Sequence, residues 1–422
     1  MTAASPLSRS VEAEATKSQG ADPAAPPSSR QIAMVISHLV GRSGGAERIF
    51  VELANMLAER GYSVTCVTFD EEDGEPFYPL SPEVDLIALA PRHRRSHRFP
   101  LKWLTSKRFP RSVRQAADWH LKKDPIVRAV RGYLRRARPD VAISFLPPAN
   151  TPTLLAAKGT RTRVVPTNHN VPERDYRDPK RWSSNPHDRK LRLSALRYAK
   201  FVHVIFPEFG EWFPASLQDR IVVVPNYVSN RVLRHQPQEK RDKIILAVGR
   251  VSKVKNYLTL VEAWGRIAKK HTDWRVLIYG NGPQGRRVRR RIAALGLQDS
   301  VELGGHHTDL GEVYARSAIF CHPAHFEGFG LAPAEALALK VPVVAFADCA
   351  GVNQFVKDGV NGLMVQRNEG AEGLAAALEK LILDPDLRNR LGDRGPESVA
   401  AFTEQKYVEA WVHIIERSMR DG

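Results

Sequence analysis

Short apolar runs rich in β-branched residues alternate along this chain with stretches whose apolar positions recur every three or four residues, the periods of buried strands and of one-faced helices. Gln31–Leu39 (QIAMVISHL) reads as a buried strand. The loop Gly41-Arg42-Ser43-Gly44-Gly45 follows. Ile49, Phe50, Leu53, Met56 and Leu57 then share one face of a helix predicted over Ala46–Arg60, which Gly61 stops. Further strands are predicted at Ser63–Phe69, Val84–Leu89, Val141–Phe145, Arg163–Thr167, Phe201–Ile205 and Ile221–Val224, with helical patterns between most of them. After Val228 the pattern restarts. The polar stretch 229–243 reads as a linker, and Lys243–Val248 is a fresh strand. A helix over 256–270, a strand over 274–279, the turn Gly280-Asn281-Gly282-Pro283 and a basic helix follow. Strands at 301–303, 319–322, 342–346 and 360–365 complete the series. Strand–helix alternation with right-handed crossovers gives parallel sheets covered on both faces. The expected fold is therefore α/β, with two doubly wound, Rossmann-like parallel-sheet domains. The first spans 31–228 and the second 229–403, after a tail over 1–30 and before a last helix over 404–422. Open sheets of this kind take ligands outside the carboxyl ends of their strands, so two such edges facing each other would make a cleft.

The length of 422 residues suits two or three domains at roughly 150 residues each. The tail is rich in Ala, Ser and Pro, carries Glu12, Glu14 and Asp22 and lacks an apolar core segment; it reads as disordered and not as a signal peptide. No apolar run reaches the length of about 18 residues that a membrane-spanning helix needs. Cys66, Cys321 and Cys349 stand far apart, which argues against a disulfide framework or a cysteine zinc site and for a reducing cytosol. The net charge of +17 implies an anionic partner. Much of it lies in residues 92–138, where sixteen Lys and Arg meet two Asp, with Phe99, Leu101, Trp103, Leu104, Phe109 and Trp119 interleaved. Such a segment suits an anionic membrane surface or an acceptor on a polyprenyl diphosphate. Pro100, Pro110 and Pro125 are expected to break it into short pieces. No nucleic-acid recognition module is present, and the run Arg286–Arg291 reads as an exposed helix face.

Candidate chemistry sits in the loops. Glu327-Gly328-Phe329-Gly330-Leu331 follows a strand and opens a helix. Its glycines permit close backbone approach, the helix start offers unpaired N–H groups to an anion, and Glu327 and Glu335 are placed to accept from the hydroxyls of a sugar or ribose. Arg250 and Lys255 follow the strand Lys243–Val248, where a guanidinium and an ammonium suit phosphate oxygens. The loop Gly41–Arg48 is glycine-rich but is neither GxGxxG nor a P-loop, and the second strand ends near Asp70 without the spacing of a dinucleotide site. His169 closes another strand, where it would serve as a hydrogen-bond donor or proton relay. His306-His307 and His322-x-x-His325 lack an acidic constellation at ligand spacing, so no metal is expected. No GxSxG elbow is present, which disfavours acyl transfer.

In order and spacing these loops resemble the retaining, nucleotide-sugar-dependent glycosyltransferases of family four, which have the GT-B fold. The resemblance covers roughly residues 31–420. It rests on Gly44-Gly45-Ala46-Glu47-Arg48, Asn168-His169-Asn170, Val224-Pro225-Asn226 and Val248-Gly249-Arg250 with Lys255. Tyr279-Gly280-Asn281-Gly282-Pro283, the pair Glu327/Glu335 and Asp358–Leu363 complete it. The Gly-Gly-Ala-Glu-Arg start is most similar to bacterial transferases that build surface polysaccharide or lipid-linked oligosaccharide. The resemblance implies that Arg250 and Lys255 meet the donor diphosphate and that Glu335 holds the ribose. Glu327 and the backbone of Gly328, Phe329, Gly330 and Leu331 would hold the transferred sugar, with Gly305 and His306 beside the base. Gly44 and Gly45 would admit the donor to the backbone, and His169 would lie near the sugar. The last helix would cross back to the first domain. No cofactor or metal is implied. The partners are a nucleotide-sugar donor (UDP- or GDP-sugar) and a glycan or polyprenyl-diphosphate-linked acceptor, without nucleic acid. The enzyme would lie in the cytoplasm, peripherally on the inner face of the plasma membrane. A soluble transferase with a small acceptor, or a non-catalytic basic membrane scaffold, are the alternatives. One departure stands at Asn353-Gln354, where the family usually carries an acid; it bears on donor preference.

Overall fold

The structure is a computed structural model and describes residues 30–71, 74–89, 99–307 and 309–420. The tail predicted over 1–30 lies outside these apart from Arg30, as do residues 92–98 of the basic segment. The chain divides into two compact units, one running to Val224 and taking in the residues from Val408 onward, the other formed by Pro225–Tyr407.

The first unit holds a seven-stranded, wholly parallel sheet. Its strands are β1 (Gln31–Ile36), β2 (Ser63–Thr68), β3 (Asp85–Ala88), β4 (Val141–Phe145), β5 (Arg163–Asn168), β6 (Val202–Val204) and β7 (Ile221–Val223), in the order β3-β2-β1-β4-β5-β6-β7. Five of the six residues of β1 and all of β4 are buried, which is why both read as continuous apolar runs. Helix α1 (Gly45–Ala58) turns Ile49, Phe50, Leu53 and Leu57 into the core. It ends where Gly61, at φ +81°, donates its N–H to Ala58 O.

The basic segment differs from expectation. Arg111–Ala137 is one helix of 27 residues, α2, and it runs through Pro125. An interior proline removes a hydrogen bond and costs about 3 kcal/mol. Anchors on both sides of it hold α2 together. Trp119, Val130, Tyr133 and Leu134 are buried. Trp119 Nε1 donates to Asp188 at 2.8 Å, and the Arg131 guanidinium donates to Leu155 O and Ala156 O at 2.6 and 3.1 Å. Arg138, at φ +51°, then ends the helix.

The second unit holds a six-stranded parallel sheet: β8 (Asp242–Val248), β9 (Arg275–Tyr279), β10 (Val301–Gly305), β11 (Ser317–His322), β12 (Val343–Phe346) and β13 (Gly362–Val365), in the order β10-β9-β8-β11-β12-β13. Helices α3 (Tyr257–Ile267), α4 (Gly285–Ala294), α5 (Leu331–Ala338) and α6 (Gly370–Leu383) separate its strands or follow them. Ile245, Trp264, Val276, Ile278, Leu374 and Leu378 belong to its continuous buried core. The stretch read as a linker is partly built into this unit. Asn230–Leu233 forms a short helix, and Glu404 accepts from Asn230 N at 2.7 Å and from Ser229 Oγ at 3.0 Å. That glutamate opens the last helix, α7 (Glu404–Arg420), whose later residues join the first unit: Trp411 packs on His203, with ring centroids 5.0 Å apart.

In each sheet the strand order reverses once, between β1 and β4 and between β8 and β11. Loops that leave neighbouring strands on opposite sides of such a switch point part there and open a crevice.

Candidate functional site

At the switch point of the second unit, the loop after β8 carries Arg250 and Lys255 and the loop after β11 carries Glu327. The two are tied by a backbone bond from His325 N to Val254 O at 2.8 Å. Lys255 Nζ donates to Glu327 Oε1, and His322 Nε2, at the last position of β11, lies 3.2 Å from the same oxygen. All three side chains are mostly buried. Burial opposes the charge on Glu327, but the Lys255 ammonium and the His322 ring outweigh it and hold the carboxyl down at about 2. Burial pushes His322 the other way, below its ordinary value, so it stays neutral.

The loop continues into α5 through Gly330, whose φ of +90° lies in the left-handed region that favours glycine. Leu331 begins the helix, and the buried Glu335 stands one turn in. The Phe329 side chain is turned away from the loop's polar side. Its ring packs into the core, edge-on to Phe402 at 5.1 Å and tilted to Phe355 at 5.4 Å, which leaves its backbone to the loop. The turn with the departing Asn353-Gln354 lies against the same loop: a Cβ at Gly351 would stand 2.2 Å from Gly328 O. The Asn353 amide donates to Ala347 O at 3.2 Å.

On the other side of β8, the turn Gly280–Pro283 packs backbone to backbone on the loop carrying Arg250. Gly249 N donates to Tyr279 O at 2.9 Å and Val251 N to Asn281 O at 3.0 Å. A cavity of about 80 Å³ lies beside this turn, lined by Val251, Asn281, Arg286, Arg289, Leu303 and Gly305 among others. Gly305, at φ +68°, ends β10, and the half-buried His306 follows, its basicity lowered by burial and by His307. Arg250 is exposed at its strand end.

In the first unit, Gly44 and Gly45 stand at the start of α1, after β1. Asp70, just past β2, accepts from Leu39 N at 2.9 Å and Val40 N at 3.3 Å, so it braces the loop leading to these glycines. His169 is buried and stacks on Phe145 at 4.7 Å between centroids. Its neighbours are structural. Asn168 donates to His203 O at 2.9 Å and accepts from Tyr176 Oη at 2.8 Å, and Asn170 approaches the buried Asp175 at 3.4 Å. The motif at 358–363 is structural as well: Asn361 bonds Lys357 N and Phe355 O, both at 2.8 Å.

Residues 44–227 match the glycosyl transferase 4-like domain, and residues 230–398 match the glycosyl transferases group 1 family. The chain belongs to these glycosyltransferases. Its two sheets are the two Rossmann-like domains of the GT-B fold. It is 26% identical over 90% of its length to the lipopolysaccharide core biosynthesis glycosyltransferase LpsE of Rhizobium meliloti, 99% of which is covered. An α-1,4-N-acetyl-D-galactosaminyltransferase of Campylobacter jejuni, named for a PP-undecaprenol-linked substrate, is 24% identical over 91% of this chain and 98% of its own. HepE of Anabaena, solved in complex with UDP-glucose, superimposes with a TM-score of 0.69 at 15% identity, covering 92% of this chain and 99% of that one.

The glycosyltransferase motifs pointed to Lys255 and Glu327, and these meet. They did not point to three other residues. His322 had been weighed only as a metal ligand. Tyr257 lies within the helix predicted over 256–270, with no motif to mark it. Arg367, after β13, bonds Asp348, His325 O and Ala324 O at 2.5, 3.1 and 3.2 Å, and so clasps the loop after β11 to the loop after β12. Among the described residues, no group of three His, Cys, Asp or Glu is placed to hold a metal ion.

Proposed function

We propose that this glycosyltransferase moves a sugar, with retention, from a UDP- or GDP-sugar to a growing, lipid-linked cell-surface glycan at the inner face of the plasma membrane. The carrying observation is the convergence of Lys255, Glu327 and His322 at the switch point of the second sheet, beside the start of α5. Departure of a nucleoside diphosphate concentrates negative charge on the leaving phosphate. Arg250, Lys255 and the first N–H groups of α5 would stabilise that charge with donors fixed in advance, without a metal ion. Glu327, kept ionised, and the backbone of Gly328–Leu331 would hold the transferred sugar, and Glu335 the ribose. Attack from the same face, with the leaving phosphate taking the acceptor's proton, gives retention without a carboxylate nucleophile; a glycosylated carboxylate trapped by rapid quenching would refute it. His169 and Gly44–Gly45 are assigned to the donor's sugar side.

The relatives named for lipopolysaccharide and PP-undecaprenol substrates support the glycan acceptor, and the neighbour with UDP-glucose supports the donor class. No described helix is long and apolar enough to cross a membrane. The exposed Trp103, edge-on to Phe109 at 4.5 Å and flanked by Lys102, Lys107, Arg108 and Arg111, supports peripheral contact with anionic lipid, at about 1 kcal/mol per well-placed cation. Failure to float with phosphatidylglycerol vesicles at low salt would remove the membrane part of the reading.

The deciding experiment is calorimetric titration with UDP and GDP. Charge-assisted hydrogen bonds contribute about 1.5–3 kcal/mol each, so Arg250→Ala and Glu335→Ala are each expected to weaken binding about tenfold or more. Unchanged affinity in both variants would remove the site.

A further inference from the structure

Tyr257 opens α3 directly after Asn256, whose φ of +57° swings the chain so that the tyrosine ring turns inward. The ring is 2% exposed, and its hydroxyl has no hydrogen-bond partner among the described residues. A buried hydroxyl left without a partner costs about 1–3 kcal/mol, whereas phenylalanine in the same place would cost nothing of the kind. The hydroxyl is next to the charged site. A Cβ built on Gly249, which sits at φ +142°, would stand 3.1 Å from Tyr257 Oη and 3.2 Å from Lys255 Nζ. The phenol and the Lys255 side chain, whose Cε would stand 3.0 Å from the same Cβ, therefore close together over the bare backbone of Gly249, and only the absence of a side chain there lets them do so. Both are donors. Burial and the charge of Glu327 push the phenol well above its ordinary value, so it keeps its proton and acts as a donor.

We propose that an oxygen of the donor's diphosphate takes the place beside Gly249 that the Lys255 side chain now fills and accepts from both Tyr257 Oη and Lys255 Nζ, which makes Tyr257 a donor-binding residue. Lys255 turns from Glu327 toward the phosphate as the oxygen arrives, and the hydroxyl gains the acceptor it lacks. This rests on the reading of the second unit as the nucleotide-sugar site.

The test is Tyr257→Phe, which removes one oxygen and keeps the ring. Binding of UDP, GDP and the matching nucleoside monophosphates is measured by calorimetry for the wild type, Tyr257→Phe and Arg250→Ala, with a thermal melt of each. Loss of a hydrogen bond to a charged oxygen is expected to weaken nucleoside diphosphate binding about tenfold. Monophosphate affinity should hold, and the melting temperature of the unliganded variant should equal or exceed the wild type's. Diphosphate affinity unchanged in Tyr257→Phe but reduced in Arg250→Ala would overturn this inference and leave the site reading standing. A lowered melting temperature with diphosphate and monophosphate weakened alike would assign the hydroxyl a structural role and overturn it as well. A wild type that binds neither diphosphate would remove the site reading and this inference together.

Discussion

Replacing Lys255 by methionine removes the cation from Glu327 while leaving a side chain of similar length. The wild-type carboxyl sits at about 2 against an ordinary value of 4.5. A shift of that size is worth about 3 kcal/mol of stability at neutral pH. A carboxyl depressed in the folded state contributes fully above its unfolded value of 4.5, and the contribution fades as pH falls toward 2. With 20% and 16% of the two side chains exposed, the pair belongs near the lower end of the 3–5 kcal/mol lost, on the order of magnitude, when a buried ion pair is broken from one side. Lys255→Met should therefore cost the second unit about 3 kcal/mol at pH 7. In the variant burial has no cation to oppose it and pushes Glu327 upward. It protonates as the medium is acidified, so the deficit narrows below pH 5 or so.

Urea unfolding at pH 7 and pH 4 measures this, with Glu327→Gln and the double variant closing a cycle. The double variant should recover most of the loss, because a neutral amide at 327 no longer needs the ammonium. A Lys255→Met protein within about 0.5 kcal/mol of the wild type at pH 7 would refute the reasoning. So would a double variant no more stable than Lys255→Met, since the cost would then come from packing and not from a stranded charge.

Two further outcomes follow from buried groups. His203 Nε2 lies 2.9 Å from Val224 O, and burial pushes the ring down to about 4. Below pH 6.5 the unfolded chain takes up a proton that the folded ring refuses, so the first unit should lose about 3 kcal/mol between pH 6.5 and 4 from this residue; His203→Gln should flatten that slope in melts across the range, and an unaltered slope would count against the assignment. Gly351→Ala would set a methyl group 2.2 Å from Gly328 O and 2.9 Å from Glu327 O. The second unit should lose about 1–3 kcal/mol in a urea melt and bind nucleoside diphosphate more weakly; a melt and an affinity like the wild type's would show that the turn yields at no cost.

The sheets were legible because buried parallel strands announce themselves as apolar runs: Val141–Phe145 and Ile244–Ala247 are buried along their whole length. Helix α2 was not. Its continuity through Pro125 depends on Trp119 reaching Asp188 and Arg131 reaching the Leu155 and Ala156 carbonyls, contacts between residues far apart in the chain. The site divides in the same way. Lys255 and Glu327 were visible as motif positions, while their pairing and the approach of His322 depend on β8 and β11 being neighbours. Tyr257 was hidden for a local reason. In a helical pattern a tyrosine counts as apolar, and only the left-handed turn at Asn256 places its hydroxyl near Lys255 and Gly249.

The sequence marks the glycines of the loop Glu327–Leu331 as room for a ligand. Other glycines of the second unit have a different task. A Cβ at Gly280 would stand 2.1 Å from Gly249 O, one at Gly282 would stand 2.3 Å from Val251 O, and one at Gly351 would meet Gly328 O. These residues let four strand-end loops, those after β8, β9, β11 and β12, stack backbone against backbone, with the loops after β8 and β11 tied by His325 N and Val254 O. Stacked loops have little freedom to drift, so the charges they carry are fixed before any ligand arrives. That matters for the proposed reaction. An ammonium already mostly out of water, opposite a carboxylate held ionised, needs little reorganisation to turn to a phosphate, and electrostatic stabilisation is strongest where the dipoles and charges are set in advance. On this reasoning a glycine that never touches the donor affects its binding as much as one that does, and Gly351 is where that claim is most directly exposed.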